Sequence, residues 1–220
     1  MAIAFISNTT AAGPNTFSSS SVDTSGANFI AIGLTENGAA SVTISDSKSN
    51  TWSKNTEQSA TAPDCVLYYT VNPTVGTGHT FTATGSSIYA VMSIAWFSGV
   101  ATTTPLDQQN GSGGGGMTSP AQPGSITPTE DDELVLSALA WSSGFDITSV
   151  TGMTQIGETD FAGGNNYGGG LAYVIQTTAA AINPGWNYSG TMSGNLTQAS
   201  FKKAAGGGGG GKPMYAYAQQ

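Results

Sequence analysis

The sequence predicts an all-β chain, an antiparallel double-sheet jelly-roll sandwich built from two similar halves. Three observations carry this. No window sets apolar residues at i, i+3, i+4 and i+7 behind a capping residue, so no helix is expected. Short runs rich in Val, Ile, Thr, Tyr and Phe recur between Gly, Asn, Asp and Pro, which is the signature of strands. One pattern then occurs twice, about 104 residues apart.

In chain order, the first half predicts strands at Ile3–Ser7, Asn28–Thr35, Ala40–Ser45, Trp52–Thr56, Cys65–Val71, His79–Thr84 and Ile88–Phe97. The second predicts Gly124–Thr127, Glu133–Trp141, Asp146–Val150, Met153–Asp160, Gly170–Gln176, Trp186–Ser189 and Asn195–Lys203. Ile30–Leu34 matches Leu134–Ala138, and Leu67–Pro73 matches Leu171–Thr177. Trp52 matches Ile156, and Phe81 matches Trp186. Each half is expected to offer one apolar face that it cannot bury alone, so the two halves are expected to pack face to face. Two separate small sandwiches are the less favoured arrangement.

The expected boundaries follow. A sandwich fills residues 1–205, with halves at about 1–101 and 123–205. A linker at 102–122 joins them, and its Gly113–Gly116 tract reads as flexible coil. Residues 206–220 form a six-glycine spacer and a tail, MYAYA then Gln-Gln. Residues 206–220 read either as a free tail or as an arm; Met214, Tyr215 and Tyr217 are uncharged and a liability in water, which favours an arm that reaches onto a neighbouring subunit. AGGNNYGGG, residues 162–170, reads as a glycine-rich loop, and its Asn165, Asn166 and Tyr167 are the best candidates for an exposed ligand contact.

Composition removes several functions. Charged residues make up 8% of the chain, against about 25% in an average domain. There is no Arg, and a net charge of -8 gives no footprint for phosphates, so nucleic acid is not an expected partner. Cys65 is the only cysteine, so no internal disulfide forms, and its apolar run CVLYYTV predicts a small buried side chain. Met1–Asn8 has no basic start and only a short apolar stretch, so neither a signal peptide nor membrane insertion is expected.

Candidate chemistry is sparse. His79 is the only histidine, so any Ser-His-Asp or Cys-His arrangement must use it. At the start of a strand it reads as solvent-facing rather than as a general base. One histidine and one cysteine cannot make a transition-metal site. Asp46, Ser47, Ser49 and Asn50 form an oxygen-rich turn without EF-hand spacing, and read as structural. Glu130, Asp131, Asp132 and Glu133 precede the apolar run Leu134–Trp141, and read as solvated charges guarding a sticky strand. The glycine tracts lack the GK[ST] ending of a phosphate loop. No catalytic residue, cofactor or metal is therefore expected.

The run VTISDSKSNTW, the strand ending YYTVNP, GTGHTFTATGSSIYAVMSIAWFSGV with TPLDQ after it, and SITPTEDDELVLSALAW together resemble β-sandwich repeats of bacteriophage and bacterial surface proteins. The resemblance spans Asn28 to Lys203 and lies in turn and core signatures. AWFSGV departs from it, because an acidic residue is expected before the aromatic-Ser-Gly. The resemblance implies a non-enzymatic virion component, either a head decoration or a tail or fibre subunit. The implied partners are copies of itself in a trimer or ring and other virion proteins, after assembly in the host cytoplasm. A carbohydrate-binding module for host-surface glycans and a self-assembling extracellular filament are the alternatives.

Overall fold

Side chains alternate between the two faces of an extended strand, so a strand that is apolar at every position needs cover on both faces. The computed structural model describes residues 1–37, 42–86, 88–142, 144–162 and 166–205. In it, the two unbroken apolar runs are central strands covered on both sides. The first half contributes β1 (Ala4–Pro14), β2 (Phe17–Ser18), β3 (Phe29–Glu36), β4 (Thr43–Asp46), β5 (Ser53–Lys54), β6 (Asp64–Val71), β7 (Phe81–Thr84) and β8 (Tyr89–Ser98). The second contributes β9 (Leu106–Thr118), β10 (Glu133–Ser142), β11 (Ile147–Thr151), β12 (Thr154–Ala162), β13 (Asn166–Gln176), β14 (Gly185–Tyr188) and β15 (Thr191–Phe201).

The expected all-β antiparallel sandwich is present. One large sheet has the order β1-β8-β3-β6-β5 and the other β12-β13-β10-β15-β9. Read in reverse, the second repeats the first, with β9 in the place of β1, β15 of β8, β10 of β3, β13 of β6 and β12 of β5. Two small sheets, β2-β7-β4 and β11-β14, complete the halves.

Three cores follow from the alternation. Phe29 and Ala31 of β3 face a central core shared with Leu134, Leu136, Ala138 and Phe201. Ile30, Ile32 and Leu34 face the other way, onto Ile44, Phe81 and Ala83 of the small sheet. In the second half, Leu139 and Trp141 face outward onto Val150 and Trp186. Each half thus has a core of its own as well as a share in the central one. The expectation of one apolar face per half is corrected: β3 and β10 have two, which is why their sequences never alternate. The contacts between halves are reciprocal. β6 packs on β15 as β8 packs on β13, and β3 packs on β13 as β10 packs on β6. Such exchange characterises a two-fold interface, here within one chain.

The expected flexible linker at 102–122 is also corrected. Leu106–Thr118 is a paired strand along β15, equivalent to β1 along β8. Its glycines are structural. Gly113 lies opposite Asn195, and a Cβ there would stand 1.8 Å from the Asn195 Oδ1. The Asn195 amide takes that space and reaches the first half, where Oδ1 accepts from Ala60 N at 3.1 Å and Nδ2 donates to Pro63 O at 2.7 Å. Asn55 Nδ2 donates to Thr197 Oγ1 at 2.6 Å beside it. A compositional reading sees only missing side chains and misses the neighbour that fills the gap.

Register also refines the repeat. Phe29 and Leu134 both face the central core, so Ile30 matches Val135 rather than Leu134, and Glu36 matches Trp141. Phe17 and Val22 pair with Ala83 and His79 as Ala121 and Ile126 pair with Trp186 and Ile182, so Ala83 rather than Phe81 matches Trp186. Ile44 pairs with Ala83 and Val150 with Trp186, so Val150 is the counterpart of Ile44. Ser53 pairs with Tyr69 and Thr154 with Tyr173, which makes Met153, rather than Ile156, the counterpart of Trp52. Trp52 borders the outer core of its half, and Met153 does the same in the other. The β4–β5 turn is four residues longer than the β11–β12 turn, and opposite slips elsewhere keep the overall spacing near 104.

Candidate functional site

His79 does not face solvent as expected; it is 0% exposed. A bridge between Val22 and His79 lays the segment after β2 across it, and the Phe81 ring stacks on the imidazole at 4.4 Å. Thr24 Oγ1 lies 2.9 Å from Nδ1. Asp46 Oδ1 lies 3.1 Å from Nε2, out of line for a hydrogen bond. The Asp46 carboxylate also accepts from Lys48 N at 2.8 Å, Asn50 Nδ2 at 3.1 Å and Trp52 Nε1 at 2.8 Å. Thr, His and Asp side by side suggest a nucleophilic triad, but Thr24 is fully buried and its Oγ1 accepts from Gly76 N at 3.1 Å. No substrate reaches that hydroxyl. The set is a latch that fixes the long Asp46–Trp52 turn to the body of the half, as the structural reading of that turn expects.

Cys65 is buried as expected, and burial pushes its thiol far above the ordinary range, so it is neither nucleophile nor ligand. The acidic run divides. Asp132 pairs with Lys203 at 2.6 Å, Glu130 lies 3.5 Å from Lys202, and Asp131 accepts from Ala179 N at 2.7 Å. Glu133 is not a solvated charge as expected but fully buried, accepting from Glu130 N at 3.1 Å, and burial raises its pKa. Burial also pushes on its neighbour Asp107, but hydrogen bonds from Thr129 N and Oγ1, both at 2.8 Å, outweigh it and hold Asp107 low.

The cluster with the strongest chemical character was not legible in the sequence. Glu36 ends β3 and Asp64 begins β6, directly across from it. Glu57 comes from the segment between β5 and β6. One carboxylate oxygen from each lies within 4.8 Å of the others. Glu36 is 4% exposed and Asp64 8%. Both sit on the outward face of the large sheet, at the rim of the first half's own core. Burial, then the charges of Glu57 and Asp64, push the Glu36 pKa up to about 7. Asp64 is raised by burial and by Glu57. Lys54 binds Glu57 at 2.8 Å, while Glu36 Oε2 is buried without a hydrogen-bond partner. The three acids lie far apart in the sequence with no motif around them, so only strand pairing reveals them.

The expected contact loop is mostly strand. Asn166 and Tyr167 belong to β13, paired with Ala162 and Phe161. Asn166 is exposed and Tyr167 half-buried, while Asn165 lies outside the described residues. The glycines after them permit close packing: a Cβ at Gly168 would stand 2.1 Å from Trp141 Cε2, and one at Gly170 2.9 Å from Trp186 Cζ3. Met214, Tyr215 and Tyr217 also lie outside the described residues. Trp96, Trp141 and Trp186 are core side chains. A polar groove of about 200 Å³ lies between Thr56, Gln58, Gln109, Asn110 and Gly111, lined by amides without an aromatic ring. No family model, curated protein or solved structure matches this chain.

Proposed function

We propose that this chain is a non-enzymatic structural subunit of a virion surface, a decoration, tail or fibre component, that works through contacts with copies of itself and neighbouring proteins. The observation that carries the reading is the burial of the chain's only histidine and only cysteine, both engaged in the fold and closed to a substrate. Two further features support it. The halves are fused through a reciprocal interface with a shared core, which suits a building unit. The virion setting rests on the resemblance of the turn and core signatures between Asn28 and Lys203 to β-sandwich repeats of bacteriophage and bacterial surface proteins. Three of the four Trp fill cores, leaving the glycan alternative without those stacking surfaces.

Light scattering across a concentration series, with electron microscopy of the same samples, tests the proposal. The full chain is expected to form a discrete trimer or ring, and removal of residues 206–220 to weaken it. A full chain that stays monomeric throughout and binds no particle overturns the reading. Unchanged assembly after the truncation overturns the role of the arm alone.

A further inference from the structure

We propose that Glu36, Glu57 and Asp64 form a divalent-cation site on the first half, and that calcium is the ion it takes. The donor set is all oxygen, without imidazole or thiolate, which selects hard cations over zinc or copper. Calcium accepts about six to eight oxygen ligands in flexible geometry, whereas magnesium demands a near-ideal octahedron and usually keeps several waters on one or two carboxylates. Three protein carboxylates converging on one point suit calcium's flexible, ligand-rich coordination better than magnesium's.

A second observation is independent of the clustering. Glu36 Oε2 is buried without a partner. A buried carboxylate oxygen without a hydrogen bond or cation is costly. Lys54, the nearby cation, is engaged with Glu57 and half exposed. The other half supplies a control for packing. At the register position of Glu36 it has Trp141, and at that of Asp64 it has Gly168, whose missing Cβ leaves room for the indole. The fold therefore fills this place with an apolar ring when packing is all that is needed. Three convergent acids in its stead point to a ligand.

The test uses the full chain stripped with chelator. Calcium is titrated by calorimetry and by thermal unfolding. Terbium luminescence is excited through tyrosine, with Tyr68 as the near sensitiser, since Lys54 Nζ lies 5.9 Å from its ring centroid and 2.8 Å from Glu57. Calcium is expected to raise the melting temperature and quench the terbium signal by competition, with magnesium weaker at equal concentration. Glu36→Gln and Asp64→Asn are each expected to weaken calcium binding at least about tenfold, and Glu130→Gln, an acid at the other acidic run, to leave it unchanged. No calcium-dependent shift and no terbium signal in the unaltered chain overturns the proposal. So does a folded Glu36→Gln chain that keeps both. If neither variant folds, terbium displacement by calcium on the unaltered chain decides.

Discussion

The two halves share a strand order but fill equivalent places with opposite chemistry. Where the second half has Trp141 over Gly168, the first has Glu36 facing Asp64. Where the first has the latch of Asp46, His79 and Trp52, the second has Gly152, Ile182 and Met153. The second half carries apolar or small residues at each of these places, and the first carries polar groups that must find partners. A duplicated fold thus separates what the architecture requires from what has been added to it. The architecture requires alternation, strand order and the shared core, which both halves keep. The carboxylates and the latch belong to one half, and the other half reaches the same strand order without them.

Substitutions at matched positions sharpen this contrast. The largest effect is expected for Trp141→Ala, which empties a fully buried ring and costs about 3–5 kcal/mol in urea unfolding. At the matched position, Glu36→Gln is expected to act in the opposite direction. Glu36 has its pKa raised to about 7 from 4.5, so the folded chain holds a proton there that the unfolded chain has released. The resulting destabilisation is absent below about pH 4.5, grows as pH rises, and is complete above about 7. In chelator, Glu36→Gln should stabilise by up to roughly 3 kcal/mol at pH 8 and do little at pH 4. A pH-independent effect breaks the contrast.

The latch gives the next comparison. Asp46→Ala strands the Trp52 indole N–H and the Lys48 and Asn50 donors, and is expected to cost about 3 kcal/mol. Gly152→Ala is a different case, since Gly152 has φ +81 and nothing within 4 Å, so its cost is backbone strain alone, about 1 kcal/mol. Equal losses at the two sites argue that the latch adds nothing. The smallest effect is expected along β9. Gly115→Ala meets only Ser193 Oγ at 3.6 Å and should gain about 0.5 kcal/mol, while Gly113→Ala displaces the Asn195 amide and should lose stability. Thermal unfolding of the pair reports the sign of each.

Much of the fold was legible because its signals are local. Leu134–Trp141 and Phe29–Leu34 announce central strands by composition, and the Asp, Ser and Asn of Asp46–Asn50 announce a turn. β9 was not legible. Four successive glycines carry no pattern, and the reason for them, the Asn195 amide, lies on another strand. His79 was misplaced for a related reason: its cover comes from the segment near Val22, which is far away in sequence. The carboxylate cluster escaped because Glu36, Glu57 and Asp64 share no motif.

The sequence by itself determined the class, the duplication and the identity of the central strands, since side-chain alternation and turn chemistry act over a few residues. Tertiary structure decided the rest. It made each half a sandwich with its own core, turned a glycine tract into an edge strand, buried the histidine and brought three acids together. Each of these depends on which strands lie side by side, and that is settled by the joint burial of faces from the whole chain rather than by any segment of it.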